Sequence, residues 1–197
     1  MSWEQAWEEG RTPWDASAPA PALVDLVRGG TLPRGRALVP GAGSGHDVLA
    51  LARPGSEVIG LDLSPLAVQR FDVLRAEAGV APASARVVVA DFFEYAPPTP
   101  FELIWDYTFL CAIEPDRRPE WARQMDRLLA PHGELITLIF PTRPYGDPGG
   151  PPFTVDEPEV CELLAPFVQQ VAIEPDPRGH PGREGYEILA RWRRGSG

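Results

Sequence analysis

Leu38-Val-Pro-Gly-Ala-Gly-Ser-Gly-His-Asp47 is the stretch that decides the fold of this 197-residue chain. An apolar run (Ala37, Leu38, Val39) leads into three alternating glycines, Gly41, Gly43 and Gly45, and a helix-like run from Val48 to Ala52 leads out. The pattern predicts a strand, a tight turn and a helix start. Glycine tolerates positive φ and lets backbone come close to a ligand. A second apolar run, Val58-Ile-Gly-Leu-Asp62, ends in a carboxylate 21 positions after Gly41. In an α/β sheet that spacing sets the acid beside the turn, within reach of ribose hydroxyls. His46 makes the pattern GxGxG rather than the dinucleotide GxGxxG, which points to an adenosyl ligand without a pyrophosphate.

Working outward, strand and helix signals alternate. Arg36 to Pro40 reads as the first strand and Glu57 to Asp62 as the second. Ser64-Pro65 reads as an N-cap and first helical position, opening a helix to about Ala78. Arg86 to Asp91, Phe101 to Tyr107 and Glu134 to Phe140 read as strands three to five, with a helix over Asp116 to Leu129. A helix over 20–30 precedes the first strand. A short one (Glu157 to Leu164) and strands near Val168–Glu174 and Glu184–Arg193 close the chain. The near-continuously apolar strands predict a sheet covered on both faces. The alternation predicts a doubly wound α/β fold, Rossmann-like, in one domain over residues 1–197.

Two segments break the rhythm. Residues 3–14 hold Trp3 and Trp7, four apart on one helix face, and Trp14 after a Thr-Pro turn. Indoles exclude water and attract cations, so this arm is a candidate wall of a ligand site. Residues 141–156, rich in Pro and Gly, follow the carboxyl end of a strand, where open α/β sheets bind ligands. A lid is the expected use of a loop of this length.

Composition narrows the function. A net charge of −10 and a pI near 4.8 argue against nucleic acid and anionic membranes as partners. All 18 basic residues are arginine, which excludes Schiff-base chemistry and a P-loop lysine. Neither a signal peptide nor a membrane span is evident, and two cysteines, Cys111 and Cys161, make no disulfide framework. A cytoplasmic setting, a small-molecule partner and a monomer are the expectations. No His/Cys/Asp spacing resembles a metal site.

Several ordered blocks resemble class I S-adenosylmethionine-dependent methyltransferases of the thiopurine methyltransferase group, and above all the halide/thiol methyltransferases of plants and fungi. The blocks are Trp3-Glu-Gln-Ala-Trp7, Gly10-Arg-Thr-Pro-Trp-Asp15, the glycine turn, Gly60-Leu-Asp-Leu-Ser64, Asp91-Phe-Phe93, Phe101-Glu-Leu-Ile-Trp-Asp-Tyr107, Cys111-Ala-Ile-Glu-Pro115, Gly133-Glu-Leu-Ile-Thr-Leu138 and Gly149-Gly-Pro-Pro-Phe153. The resemblance implies a seven-stranded sheet with a reversed final hairpin, an N-terminal helical cap (1–30) and S-adenosylmethionine as methyl donor. By position, Gly41 and Gly43 would pass close to the donor. Asp62 would take its ribose hydroxyls, and Leu63, Asp91 and Phe92 its adenine. Trp3, Trp7 and Trp14 would close the site. Asp106 and Tyr107 would lie near the reacting methyl, either one as proton acceptor for a neutral thiol, or Asp106 only as a ligand of the donor's amino group. Trp14, Tyr107, Phe140 and Phe153 would line the nucleophile's side. Phe140 and Phe153 stand where plant relatives tend to carry Tyr, which favours a thiol over a halide.

Methyl transfer from a sulfonium is an in-line displacement, in which alignment supplies much of the rate. An anionic nucleophile such as hydrosulfide, a thiolate or iodide needs no base, and a dry aromatic pocket removes its hydration. The competing expectations are a methyltransferase for a larger thiol, a thiopurine or a metalloid, and a non-catalytic nucleoside-binding module.

Overall fold

The structure is a computed structural model that describes residues 3–146 and 149–194. The expected cap begins at Met1 and Ser2, and the expected lid includes Asp147 and Pro148. Those four positions lie outside the described residues. Seven strands form one mixed sheet in the order β3-β2-β1-β4-β5-β7-β6. They run β1 (Arg36–Pro40), β2 (Glu57–Asp62), β3 (Ala85–Val89), β4 (Phe101–Tyr107), β5 (Leu129–Ile139), β6 (Gln169–Glu174) and β7 (Ile188–Arg193). The helices are α1 (Trp3–Glu8), α2 (Pro21–Gly29), α3 (His46–Leu51), α4 (Pro65–Glu77), α5 (Arg118–Leu128) and α6 (Glu157–Leu164). The chain divides into two compact units, Met1–Tyr95 and Ala96–Gly197.

In the first unit, β1 pairs with β2 and β2 with β3, all parallel. The strands are tied at their start by Glu57, whose carboxylate accepts from Arg36 Nε at 2.8 Å and Arg86 Nη2 at 2.7 Å. Ser64 caps α4 as its sequence implies, its Oγ accepting from Leu66 N at 3.2 Å. Gly60 sits mid-strand because a Cβ there would come within 2.7 Å of the Ala42 methyl. β3 ends two residues before the expected Asp91. Ala90 N donates to Asp62 O, and Asp91 Oδ1 accepts from Phe93 N at 2.8 Å, which turns the chain out of the sheet.

In the second unit, β4 and β5 are parallel, and the antiparallel pairs β5–β7 and β7–β6 make the reversed hairpin. Two expectations shift. β5 starts at Leu129 rather than Glu134, because the chain stays extended through Pro131-His-Gly133 with a register irregularity opposite Phe101 and Leu103. Gly133 permits this: a Cβ there would meet Phe101 O at 2.8 Å. β7 starts at Ile188 rather than Glu184, since Gly182 and Gly185 take φ of +86° and +72° and coil the preceding segment. β6 is exposed along its whole length, so burial on both faces holds for the inner strands and not for this outermost one. Glu134, almost fully buried, accepts from Arg193 Nε at 2.8 Å and pairs with Arg191, which fixes the β5–β7 register.

Candidate active site

The first unit carries the glycine turn. Gly41, Gly43 and Gly45 all take positive φ (+57°, +55° and +78°), a region costly for any residue with a Cβ. Asp62, at the end of β2, braces the turn. Its Oδ2 accepts from Gly43 N and its Oδ1 from Ser64 N, both at 2.9 Å. Burial raises its pKa, and the backbone N–H groups oppose the rise. Each carboxylate oxygen keeps lone-pair capacity for a further donor.

The indole arm stands over this turn. Trp14 packs edge-on against both Trp3, with ring centroids 5.1 Å apart, and Trp7, at 5.9 Å. A Cβ at Gly43 would lie 3.9 Å from Trp14 Nε1 and 4.0 Å from Trp7 Cζ2, so these rings line the glycine's open side. Trp7 is buried, with the Arg70 guanidinium 4.8 Å over its ring, whereas Trp3 is 38% exposed. Asp15 holds the arm down. Its carboxylate accepts from Ser44 Oγ and lies 3.6 Å from His46 Nε2. Neither Asp15 nor Ser44 was singled out from sequence. Leu63 is 57% exposed beside Asp62. Asp91 is exposed, and Phe92 is buried with its ring edge-on to Phe93 at 5.3 Å.

The second unit carries Asp106 and Tyr107 at the end of β4. Asp106 is buried, and its oxygens are engaged: Trp121 Nε1 donates to Oδ2 at 2.8 Å and Leu110 N to Oδ1 at 3.2 Å. Burial pushes its pKa up to about 6. The next residues make a strained corner. Thr108 takes φ +59°, unusual for a β-branched side chain. Its Oγ1 donates to Tyr107 O at 2.7 Å. Cys111 donates to Thr108 O at 3.3 Å, and burial with the nearby Asp106 charge pushes its thiol up to about 12, so it stays protonated.

Asp106, Thr108, Cys111, Thr137, Phe140 and Val155 line a narrow cleft of about 10 Å³, room for about one water-sized molecule. Its rim is tied shut on the loop side. Phe153 N donates to Cys111 O at 2.8 Å, Val155 N to Pro141 O at 2.9 Å, and Arg118 Nη2 to Thr154 O at 3.1 Å. The 153–155 end of the loop is therefore part of the wall. Phe153 itself packs its ring on Gly150, where a Cβ would come within 2.4 Å.

Tyr107 points to neighbours that sequence reading missed. Its hydroxyl donates to Glu187 Oε1 at 2.5 Å and accepts from Arg183 Nη1 at 2.7 Å. His180 stacks on its ring at 6.3 Å, and Phe140 meets it edge-on at the same distance. Arg183 also lies 5.0 Å over Phe140. All of these are buried. In sequence they sit in a Gly/Pro-rich run that reads as a turn, and only Tyr107 and Phe140 carried a signal. Burial raises the Tyr107 pKa well beyond the ordinary phenol range, which makes it no resting base.

With this geometry established, comparisons with known proteins identify the chain. The family profile for thiopurine S-methyltransferase matches residues 1–181. The chain belongs to the thiopurine S-methyltransferase family. It is 44% identical to Probable thiol methyltransferase 2 of Arabidopsis thaliana over 98% of its own length and 85% of that protein. It is 45% identical to Thiocyanate methyltransferase 1 of the same plant, covering 98% and 84%. Among solved structures, a protein described under "Conversion of a Disulfide Bond into a Thioacetal Group during Echinomycin Biosynthesis" aligns with a TM-score of 0.77, at 25% identity over 96% of this chain and 90% of the other. The doubly wound, seven-stranded fold expected from sequence is the one observed. This member of the family is a methyltransferase. Among the described residues no helix is long and apolar enough to cross a membrane, and no group of side chains could hold a metal ion.

Proposed function

We propose that this methyltransferase, working as one domain, transfers a methyl group from S-adenosylmethionine to a small soft nucleophile, a thiol or hydrosulfide first, with thiocyanate and halides as further substrates. The observation that carries the reading is the 44–45% identity, over 98% of the chain, to relatives named for thiols and thiocyanate. The first unit fits the donor. Gly41 and Gly43 leave open backbone, Asp62 has acceptor capacity for two ribose hydroxyls, and Leu63 presents an apolar face to the adenine. Asp91 and Phe92 are assigned to the adenine's edge, and Trp3, Trp7 and Trp14 to closing the site against water. When bound, S-adenosylmethionine supplies an electrophilic methyl on a sulfonium.

The second unit fits a small nucleophile. Its cleft is largely apolar and holds about one water-sized molecule, so an anion entering it sheds most of its hydration. Phe140 lines the cleft with a ring that carries no hydroxyl, which suits a polarizable sulfur, while the Phe153 ring packs on Gly150 instead. We assign Asp106 to positioning. Its oxygens accept from Trp121 and Leu110, which orders the Thr108–Cys111 corner, and each keeps lone-pair capacity for an amino group of the donor. The purified protein, given S-adenosylmethionine with hydrosulfide, small thiols, thiocyanate or iodide in turn, is expected to release the corresponding methylated volatile into the headspace. Absence of product from all of them, with the donor bound, would overturn the reading in favour of a nucleoside-binding module. A thiopurine methylated faster than any small thiol would replace it with the larger-substrate alternative.

A further inference from the structure

A neutral thiol is a poor nucleophile until it loses its proton, and the Tyr107 phenol by itself is no base for it. Asp106 spends a hydrogen bond on each oxygen holding Trp121 and Leu110, and Tyr107 is held firmly in its phenol form. The group that can take the proton lies one hydrogen bond further on. Glu187 is 2% exposed, and its Oε1 receives the Tyr107 proton at 2.5 Å. Its Oε2 is buried with no hydrogen-bond partner among the described residues. A buried carboxylate oxygen without a partner costs free energy unless the carboxyl can take up a proton. Tyr107 Oη accepts one hydrogen bond, from Arg183, and donates one, so it retains the capacity to accept one more.

Resting on the reading of a thiol as substrate, we infer that Glu187 is the proton acceptor of the reaction, reached through the Tyr107 hydroxyl, with Arg183 holding the resulting thiolate. The thiol S–H bond breaks, and its proton goes to Tyr107 Oη. The original Tyr107 proton moves to Glu187, which becomes a neutral acid. The sulfur keeps the bonding pair as thiolate. Tyr107 ends as it began, a phenol. The charge count is unchanged: Arg183 faces a carboxylate before the step and a thiolate after it. The groups facing Glu187 are Tyr107, Arg183 and Glu184, with His180 stacked on the Tyr107 ring. Burial raises the carboxyl's proton affinity, with the Glu184 charge adding to the rise and the Tyr107 hydrogen bond and the Arg183 charge opposing it. Gly179 packs directly on Oε2, where a Cβ would come within 2.4 Å, and this shields the carboxyl from bulk water.

Thiocyanate carries no proton to lose, so it separates a relay from a structural bridge. For Glu187→Gln at pH 6.5, turnover of an aliphatic thiol with pKa about 8.5 should fall roughly a hundredfold. Thiocyanate turnover should stay within about threefold. Raising the pH above the thiol's own pKa should restore the variant. Equal losses on both nucleophiles would make Glu187 structural and overturn the relay. The wild-type enzyme supplies an independent measurement. With the relay, kcat for the thiol stays nearly flat below pH 8.5. A tenfold fall per pH unit, tracking the free thiolate, would overturn it as well. If the wild type turns over neither thiol nor thiocyanate, the substrate reading fails first, and with it the relay.

Discussion

Gly43 and Gly45 stand two residues apart in the same turn, yet an alanine at each should do different damage. Both take positive φ, so alanine at either costs about 1–2 kcal/mol of backbone strain. At Gly45 the new methyl would come within 2.2 Å of Phe71 Cδ2, and Phe71 is fully buried. Displacing that ring adds the cost of overpacking, about 1–3 kcal/mol. The total of about 2–5 kcal/mol corresponds to a Tm loss of about 5–20 °C for a chain of this size. At Gly43 the methyl meets nothing closer than Trp14 Nε1 at 3.9 Å, so only the strain applies, about 2–8 °C. That methyl does fill the space between the turn and the indoles. Gly43→Ala should therefore fold and lose at least tenfold in affinity for S-adenosylhomocysteine, about 1.4 kcal/mol. Circular-dichroism melts give the first quantity and titration calorimetry the second. Wild-type affinity in Gly43→Ala would refute the placement of the donor on this turn. A Gly45→Ala variant as stable as Gly43→Ala would refute the packing argument.

Other outcomes follow from charges and rings already described. The folded protein holds the Asp106 proton up to about pH 6, against about 3.9 for an unfolded Asp. Its contribution to stability is therefore complete below pH 4 and lost as pH rises through 6, up to roughly 3 kcal/mol. Asp106→Asn should flatten the plot of urea midpoints across that window, and an unaltered slope would remove the assignment. Glu57 has the opposite sign, because Arg86 and Arg36 hold its carboxyl below the usual range. Its contribution is present above about pH 4.3 and lost as pH falls through the lowered value. Glu57→Gln should cost no more than about 1 kcal/mol at pH 7, since the side chain is partly exposed, and less in high salt. A cost insensitive to salt would contradict the ion pairs. Trp14→Ala removes two edge-on contacts and should weaken donor binding at least fivefold with a small change in Tm. An unchanged Kd would take the arm out of the donor site.

Legibility followed the range of the forces involved. β4 and α6 could be read to the residue, because Pro100 and Asp156 mark their starts and a local pattern fills them. The turn and Asp62 were legible for the same reason: glycine conformations and strand ends are short-range properties. β5 was misread at its start because Pro131 and Gly133 signal a break locally, and only the pairing with β4 keeps that stretch extended. The partners of Asp106 and Tyr107 were not legible at all. Trp121 lies 15 residues from Asp106, and Glu187 lies 80 from Tyr107. Nothing in Gly179-His-Pro-Gly-Arg-Glu-Gly-Tyr-Glu187 signals that His180, Arg183 and Glu187 are buried, because their burial comes from packing against distant segments.

The loop after β5 is fastened at its neck, where Val155 N meets Pro141 O and Phe153 N meets Cys111 O. A bight closed in this way tolerates changes of length, since doubling a loop costs only about 0.6 kcal/mol in closure entropy. Insertions placed between Tyr145, which packs on Phe140, and Gly150, which packs on Phe153, should thus keep the fastened neck and the sheet registers. The fold can vary what approaches the nucleophile's side without re-engineering the residues that hold it, and a lineage of such enzymes can diversify its substrates by editing one bight.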